Sequence, residues 1–162
     1  MIARIETTSD LDPMLLPPRE APYVLKDVLE KIEHGSRREV ILDLGDCYLR
    51  FRAESEFDTI VGDFHGQRVR SKKGSINVSD SEPWSQFVGR ECGWTWLALN
   101  QQGYLDTALI AFNGIVPNVV LQTIASSIEI FVVTPVRDRR SRMQREKGSP
   151  VIGKHPKSAS KN

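Results

Sequence analysis

Gly93-Trp94-Thr95-Trp96-Leu97-Ala98-Leu99-Asn100-Gln101-Gln102-Gly103-Tyr104-Leu105-Asp106-Thr107-Ala108-Leu109-Ile110-Ala111-Phe112 reads as two strands around a polar turn. Trp94, Trp96 and Ala98 share one face of an extended strand, and Thr95, Leu97 and Leu99 share the other, because side chains alternate with period two. Both faces are largely apolar, which predicts a central strand covered above and below. Gln101, Gln102 and Gly103 interrupt the run, and Gly103 is free to take positive φ. A two-residue loop at Gln101-Gln102 would set Asn100 opposite Gly103, Trp96 opposite Thr107 and Trp94 opposite Leu109.

Upstream of this hairpin, Leu25, Val28, Leu29 and Ile32 recur at helical spacing behind Pro22, and Gly35 follows as a stop, which predicts an amphipathic helix with His34 near its C-terminal dipole. Residues 39–44 and 47–53 read as a hairpin around Gly45-Asp46, with Leu49, Phe51 and Ala53 inward and Tyr48, Arg50, Arg52 and Glu54 outward. Residues 57–64 supply a third strand or continue the second through a bend, and the polar residues 65–79 form a mobile loop or an exposed hairpin. Asp80 or Ser81 can cap a short helix carrying Trp84, Phe87 and Val88 that ends at Gly89. Downstream, Asn113-Gly114 marks a turn, and residues 119–123 and 128–133 give two more strands around Ala125-Ser126-Ser127. The expected fold class is therefore α+β: an antiparallel sheet of about six to eight strands with two helices packed on it, since short connections do not allow parallel neighbours.

At 162 residues the chain is long enough for one domain with a core of its own. The expected organisation is an N-terminal arm over 1–21, one domain over 22–136 and a disordered basic tail over 137–162. That tail holds nine Lys or Arg against two acids, leaving residues 1–136 with 13 basic and 19 acidic side chains, a net −6. Its composition offers little burial to offset ordering entropy. Cys47 and Cys92 are too few for a disulfide framework and stand in no zinc spacing. With no signal peptide and no run of about 20 apolar residues, the expected location is the cytoplasm and no membrane contact is implied.

Phosphate-binding, dinucleotide, zinc-protease and nucleophile-elbow motifs are all missing from the sequence, so no catalytic residue, metal or cofactor is assigned. Cys92 with His65 or His34 and Asp106 would make a nucleophilic set, but no spacing favours it over a buried apolar cysteine. Glu54, Glu56, Asp58 and Asp63 fall within ten residues without a Lys or Arg among them. Like charges so close repel, so the group is either a solvated face or a surface that meets a basic partner. Asn100, Tyr104 and Asp106 at the hairpin rim complete the set of partner-binding candidates. Asp106 has a local alternative, satisfying turn backbone or an arginine such as Arg90.

Trp84-Ser85-Gln86-Phe87-Val88-Gly89, Trp94, Asn100-Gln101-Gln102-Gly103-Tyr104-Leu105-Asp106 and Ala125-Ser126-Ser127-Ile128 together resemble a small bacterial domain family of unknown function, over about residues 81–133. Small acidic α+β domains of this sort also resemble the immunity proteins that protect bacteria from secreted toxins. That resemblance implies a cytoplasmic, non-enzymatic protein with a tight partner, a cognate toxin, nucleases with basic clefts among them. It carries no contact residues over. Two other classes remain open: a small-ligand-binding or enzymatic domain with a pocket near Asp106, and a nucleic-acid accessory protein acting through the tail, which offers only nonspecific phosphate attraction. The sequence leaves the oligomeric state open.

Overall fold

Strand pairing dominates this chain more completely than its local patterns indicate. The structure, a computed structural model, describes residues 16–69 and 74–133. Within them lie β1 (Asp27–Glu33), β2 (Ser36–Asp43), β3 (Tyr48–Glu54), β4 (Thr59–His65), β5 (Ser75–Asn77), β6 (Cys92–Leu99), β7 (Leu105–Phe112), β8 (Val119–Ile124) and β9 (Ser127–Val132). They form two antiparallel sheets, one in the order β4-β3-β2-β1-β5 and one in the order β6-β7-β8-β9. The sheets pack on a shared core: Val28, Leu42, Leu49, Phe51 and Ile60 from the first meet Ala108, Ile110, Leu121 and Ile128 from the second. β2 lies against β9, and β4 against β7.

The expected α+β class with two helices is overturned: the described residues form an all-β pair of sheets, with one single-turn 3-10 helix at Trp84–Gln86. The predicted helix over 22–35 is instead the approach to β1 and β1 itself. β1 is an inner strand, paired with β2 on one side and with β5 on the other. Helix propensities differ by a few tenths of a kcal/mol per residue, whereas fully burying a side chain such as Leu25 or Val28 contributes about 1.5–3 kcal/mol. Burial wins, and the helical spacing of the apolar residues is incidental. The expected helix stop becomes a hairpin turn: His34 and Gly35 both hold positive φ, 52° and 81°, as a two-residue turn twisted to match its strands requires.

Around the second expected helix, Trp84 and Phe87 are buried and Val88 packs against the core, so the docking expectation stands although the helix is one turn. Phe87 stacks on Phe112 at 4.7 Å. The Gly45-Asp46 turn forms as expected, closed by Leu44 N–H donating to the Cys47 carbonyl. The 65–79 stretch, read as a loop or an exposed hairpin, contributes β5, which pairs with β1 in the first sheet.

The central hairpin exists, yet β6 is an edge strand, not a central one. Its register is Trp94↔Ala111, Trp96↔Leu109 and Ala98↔Thr107, two residues away from the expected pairing. The cause lies at the tip. Asn100 N–H donates to the Tyr104 carbonyl, and Gly103 N–H donates to the Asn100 carbonyl, leaving a three-residue loop with Gly103 at φ 84°. An irregularity between Ala98 and Leu99 completes the shift. Described residues of the N-terminal arm rest on the body: Leu16 is buried, and Arg19 lies 4.0 Å over the Tyr23 ring while pairing with Asp46. The expected tail over 137–162 lies outside the described residues.

One buried polar link joins the two sheets. Glu30 is 6% exposed, accepts from Arg37 Nε at 2.7 Å and from the Trp84 indole at 3.1 Å, and Arg37 also donates to the Ile128 carbonyl at 2.8 Å. A buried carboxylate requires such partners, and here they come from two separate segments, β2 and the 3-10 turn.

Candidate functional site

Two turns, far apart in sequence, meet at one end of the molecule. In the first, β3 ends at Glu54 and the chain turns through residues 55–58, with Asp58 at φ 52°. The Asp58 carboxylate accepts from Ala125 N–H at 3.1 Å and from Ser126 N–H at 2.6 Å. Those two residues form the β8–β9 turn at φ 50° and 62°, a conformation that costs a non-glycine residue roughly 1–2 kcal/mol. Two charge-assisted hydrogen bonds offset that cost, so Asp58 fastens the first sheet to the second.

The second turn is the β6–β7 tip, and Asn100 organises it. Its Oδ1 accepts from Gln102 N–H at 2.9 Å and Tyr104 N–H at 3.1 Å, and its Nδ2 donates to Asp106 Oδ2 at 3.0 Å. Thr107 donates its hydroxyl to Asp106 Oδ1 at 2.9 Å, and Thr123 donates to the Asp106 backbone carbonyl at 3.0 Å. The Asp106 carboxylate is thus held by the Asn100 and Thr107 side chains, and neither turn backbone nor Arg90, the two partners expected for it, is among these.

Between these turns lies a cleft of about 350 Å³ lined by Ser55, Glu56, Phe57, Asp58, Asn100, Gln102, Tyr104, Asp106 and Thr123. Five of the residues chosen from sequence, Glu56, Asp58, Asn100, Tyr104 and Asp106, come together here, although sequence placed them in two unconnected groups. Phe57, Ser55, Gln102 and Thr123 were missed. The available signal for Phe57 was an aromatic between two acids in a turn, and it stands half exposed at the cleft. Three carboxylates line this cleft, and no Lys or Arg does. Each bound carboxylate oxygen of Asp58 and Asp106 keeps acceptor capacity, since a carboxylate offers about four lone-pair sites.

Two other candidates do not join. Glu54, at the end of β3, is exposed and does not line the cleft. Asp63, on β4, pairs with Arg50 at 2.7 Å and Arg52 at 3.3 Å. Burial works against its charge, but the hydrogen bond and charge of Arg50, with Arg52 behind it, hold its carboxyl below the usual value. The arginines came from β3, the neighbouring strand, which a count along residues 54–63 does not include.

Cys92 starts β6 while Asp106 lies near the start of β7, so the length of the hairpin, about 20 Å, separates them. The nucleophilic set is not assembled. Cys92 is fully buried, and burial pushes its thiol up to about 12, so no reactive thiolate forms there. Cys47 is likewise a free, buried thiol, raised to about 11 by burial and by its neighbour Asp46. Among the described residues no group of three His, Cys, Asp or Glu side chains is placed to hold a metal, and no helix is long and apolar enough to cross a membrane.

Residues 20–137 match DUF6334, a family of unknown function, and the chain belongs to that family. The match includes the 81–133 region whose residues resemble a family of unknown function, and it names no activity. No curated protein and no solved structure matches the chain.

Proposed function

We propose that this DUF6334 chain is a protein-binding module whose acidic cleft receives a basic segment of its partner. The observation that carries the reading is the composition of the cleft: Glu56, Asp58 and Asp106 beside Phe57 and Tyr104, with no cation among the lining residues. A lysine or arginine side chain entering it meets carboxylates that are already oriented and aromatic faces that attract a cation. In its most concrete form the partner is a bacterial toxin, and the module is an immunity protein that covers the toxin's active site. A nuclease suits this best, because an active site that must attract phosphates presents the basic surface an acidic module needs. The reading concerns the partner's chemistry and carries no catalytic role.

Co-expression with the neighbouring reading frame followed by pull-down tests it. Glu56→Lys is expected to slow association at least about tenfold at low salt with an unchanged melting temperature, as removal of steering charges does. A complex that forms at the same rate with this variant excludes the cleft, and a harmless neighbour that forms no complex excludes the immunity reading.

A second reading is supported by size: about 350 Å³ lies at the low end of small-molecule sites, so a small organic cation is the alternative occupant. A thermal-shift screen with amines and guanidines, repeated on Asp106→Asn, separates the two.

A further inference from the structure

The outward face of the four-stranded sheet carries an apolar row across all four strands, beside a row of Ala98, Thr107, Gln122 and Glu129. The registers Trp96↔Leu109, Leu109↔Val120 and Val120↔Phe131 place these four side chains in one row, and they alternate with the inward Thr95, Ile110, Val119 and Leu121. Trp94 stacks beside Trp96 with rings 9° from parallel, and Phe131 and Val133 are 44% and 56% exposed. Residues 92–133 contain two charged side chains, Asp106 and Glu129, and no Lys or Arg. Asp106 turns to the cleft, so Glu129 is the single charge on this face, at its corner. Trp94 and Phe131 on this face are 38% and 44% exposed, while Trp96, Leu109 and Val120 are half-buried.

We propose that this face is where two copies of the chain meet. Charge selects the occupant. In a two-fold contact every residue near the axis faces its own copy, so a central charge would meet a like charge, and only a neutral face allows close approach. The other sheet carries rows of arginine, lysine and carboxylate outward and cannot serve. A basic partner would be drawn to the acidic cleft and gain nothing electrostatic here. Tryptophan and phenylalanine are the residues that concentrate binding energy at interfaces. Strand spacing and rise give a flat footprint of about 18 Å by 23 Å, about 400 Å² per copy and about half of a standard interface, so the dimer is weak and transient.

Sedimentation velocity of the full chain from about 5 μM to about 500 μM reads the equilibrium. A monomer–dimer transition is expected, with Trp emission moving to shorter wavelength as the dimer forms, since Trp94 and Trp96 leave water. Phe131→Glu is expected to weaken association at least about tenfold, the substitution occurring twice per interface. Val133→Lys on the same face repeats the test should the first variant melt lower. Ile76→Glu, an exposed residue of β5 in the other sheet, is expected to leave it unchanged. A chain that stays monomeric throughout overturns the proposal, whether residues 1–15, residues 134–162 or another protein then covers the face. So does a dimer that Ile76→Glu dissociates and Phe131→Glu does not.

Discussion

The outward faces of the two sheets solve the same problem in opposite ways. On the five-stranded sheet, Asp63 faces Arg50 across β4 and β3, and Arg52, Glu39 and Lys31 stand opposite one another across β3, β2 and β1. Opposite charges on neighbouring strands attract, and the face is finished as it stands. Apolar residues in that face are covered: Ile41, flanked in register by Leu29 and Arg50, is 1% exposed. Long charged side chains lay their methylene stems over apolar neighbours in this manner. The corresponding row of the four-stranded sheet runs Trp96, Leu109, Val120, Phe131, and Phe131 is 44% exposed. The difference teaches that the charge-rich half of the chain is stabilised internally, while the charge-poor half carries surface suited to association.

That contrast can be broken at several points. Glu30→Ala, which removes the acceptor shared by Arg37 and Trp84, is expected to cost about 3 kcal/mol or more in chemical denaturation, because Arg37 and the Trp84 indole lose a buried partner together. Ile41→Ala should cost about 2–4 kcal/mol, as for any buried aliphatic, whereas Phe131→Ala should change monomer stability by less than about 1 kcal/mol. Equal effects at these two positions would show that the apolar face is covered in the monomer. Asp58→Ala is expected to cost about 1–2 kcal/mol by freeing the Ala125 and Ser126 amides, and Ala125→Gly to raise stability by about 0.5 kcal/mol, since glycine holds φ 50° without strain.

A further small effect concerns the charged face. Asp63 is titrated below its ordinary value when folded, so its pairing stabilises the protein above the unfolded carboxylate range and is lost as pH falls through the lower, folded value. Asp63→Asn should therefore lower stability by about 0.5–1 kcal/mol at neutral pH, partial exposure keeping the figure small, with the difference from wild type closing at acid pH. A gap that persists at acid pH would assign the loss to packing instead.

Much of the candidate site was legible residue by residue. Glu56 and Asp58 stood out as acids without neighbouring cations, and Asn100, Tyr104 and Asp106 as polar groups beside a turn in apolar strands. Their meeting was not legible, because no local pattern says that the β3–β4 turn and the β6–β7 tip share one end. Asp63 was legible as an acid and not as a paired one, since its arginines come from the adjacent strand. Asp58 was read as a free charge, whereas its carboxylate is engaged by the β8–β9 turn.

By itself the sequence determined some of the turns and part of the core: Gly45-Asp46, the break at Gly103, the alternation through Leu49 and Phe51, and the docking of Trp84 and Phe87 follow from local sterics and apolar period. Tertiary structure alone decided that residues 27–33 are a strand, that β6 is an edge and that its tryptophans face outward. Those outcomes depend on hydrogen-bond partners many residues away, and long-range pairing together with burial outweighs the few tenths of a kcal/mol per residue by which local preference speaks.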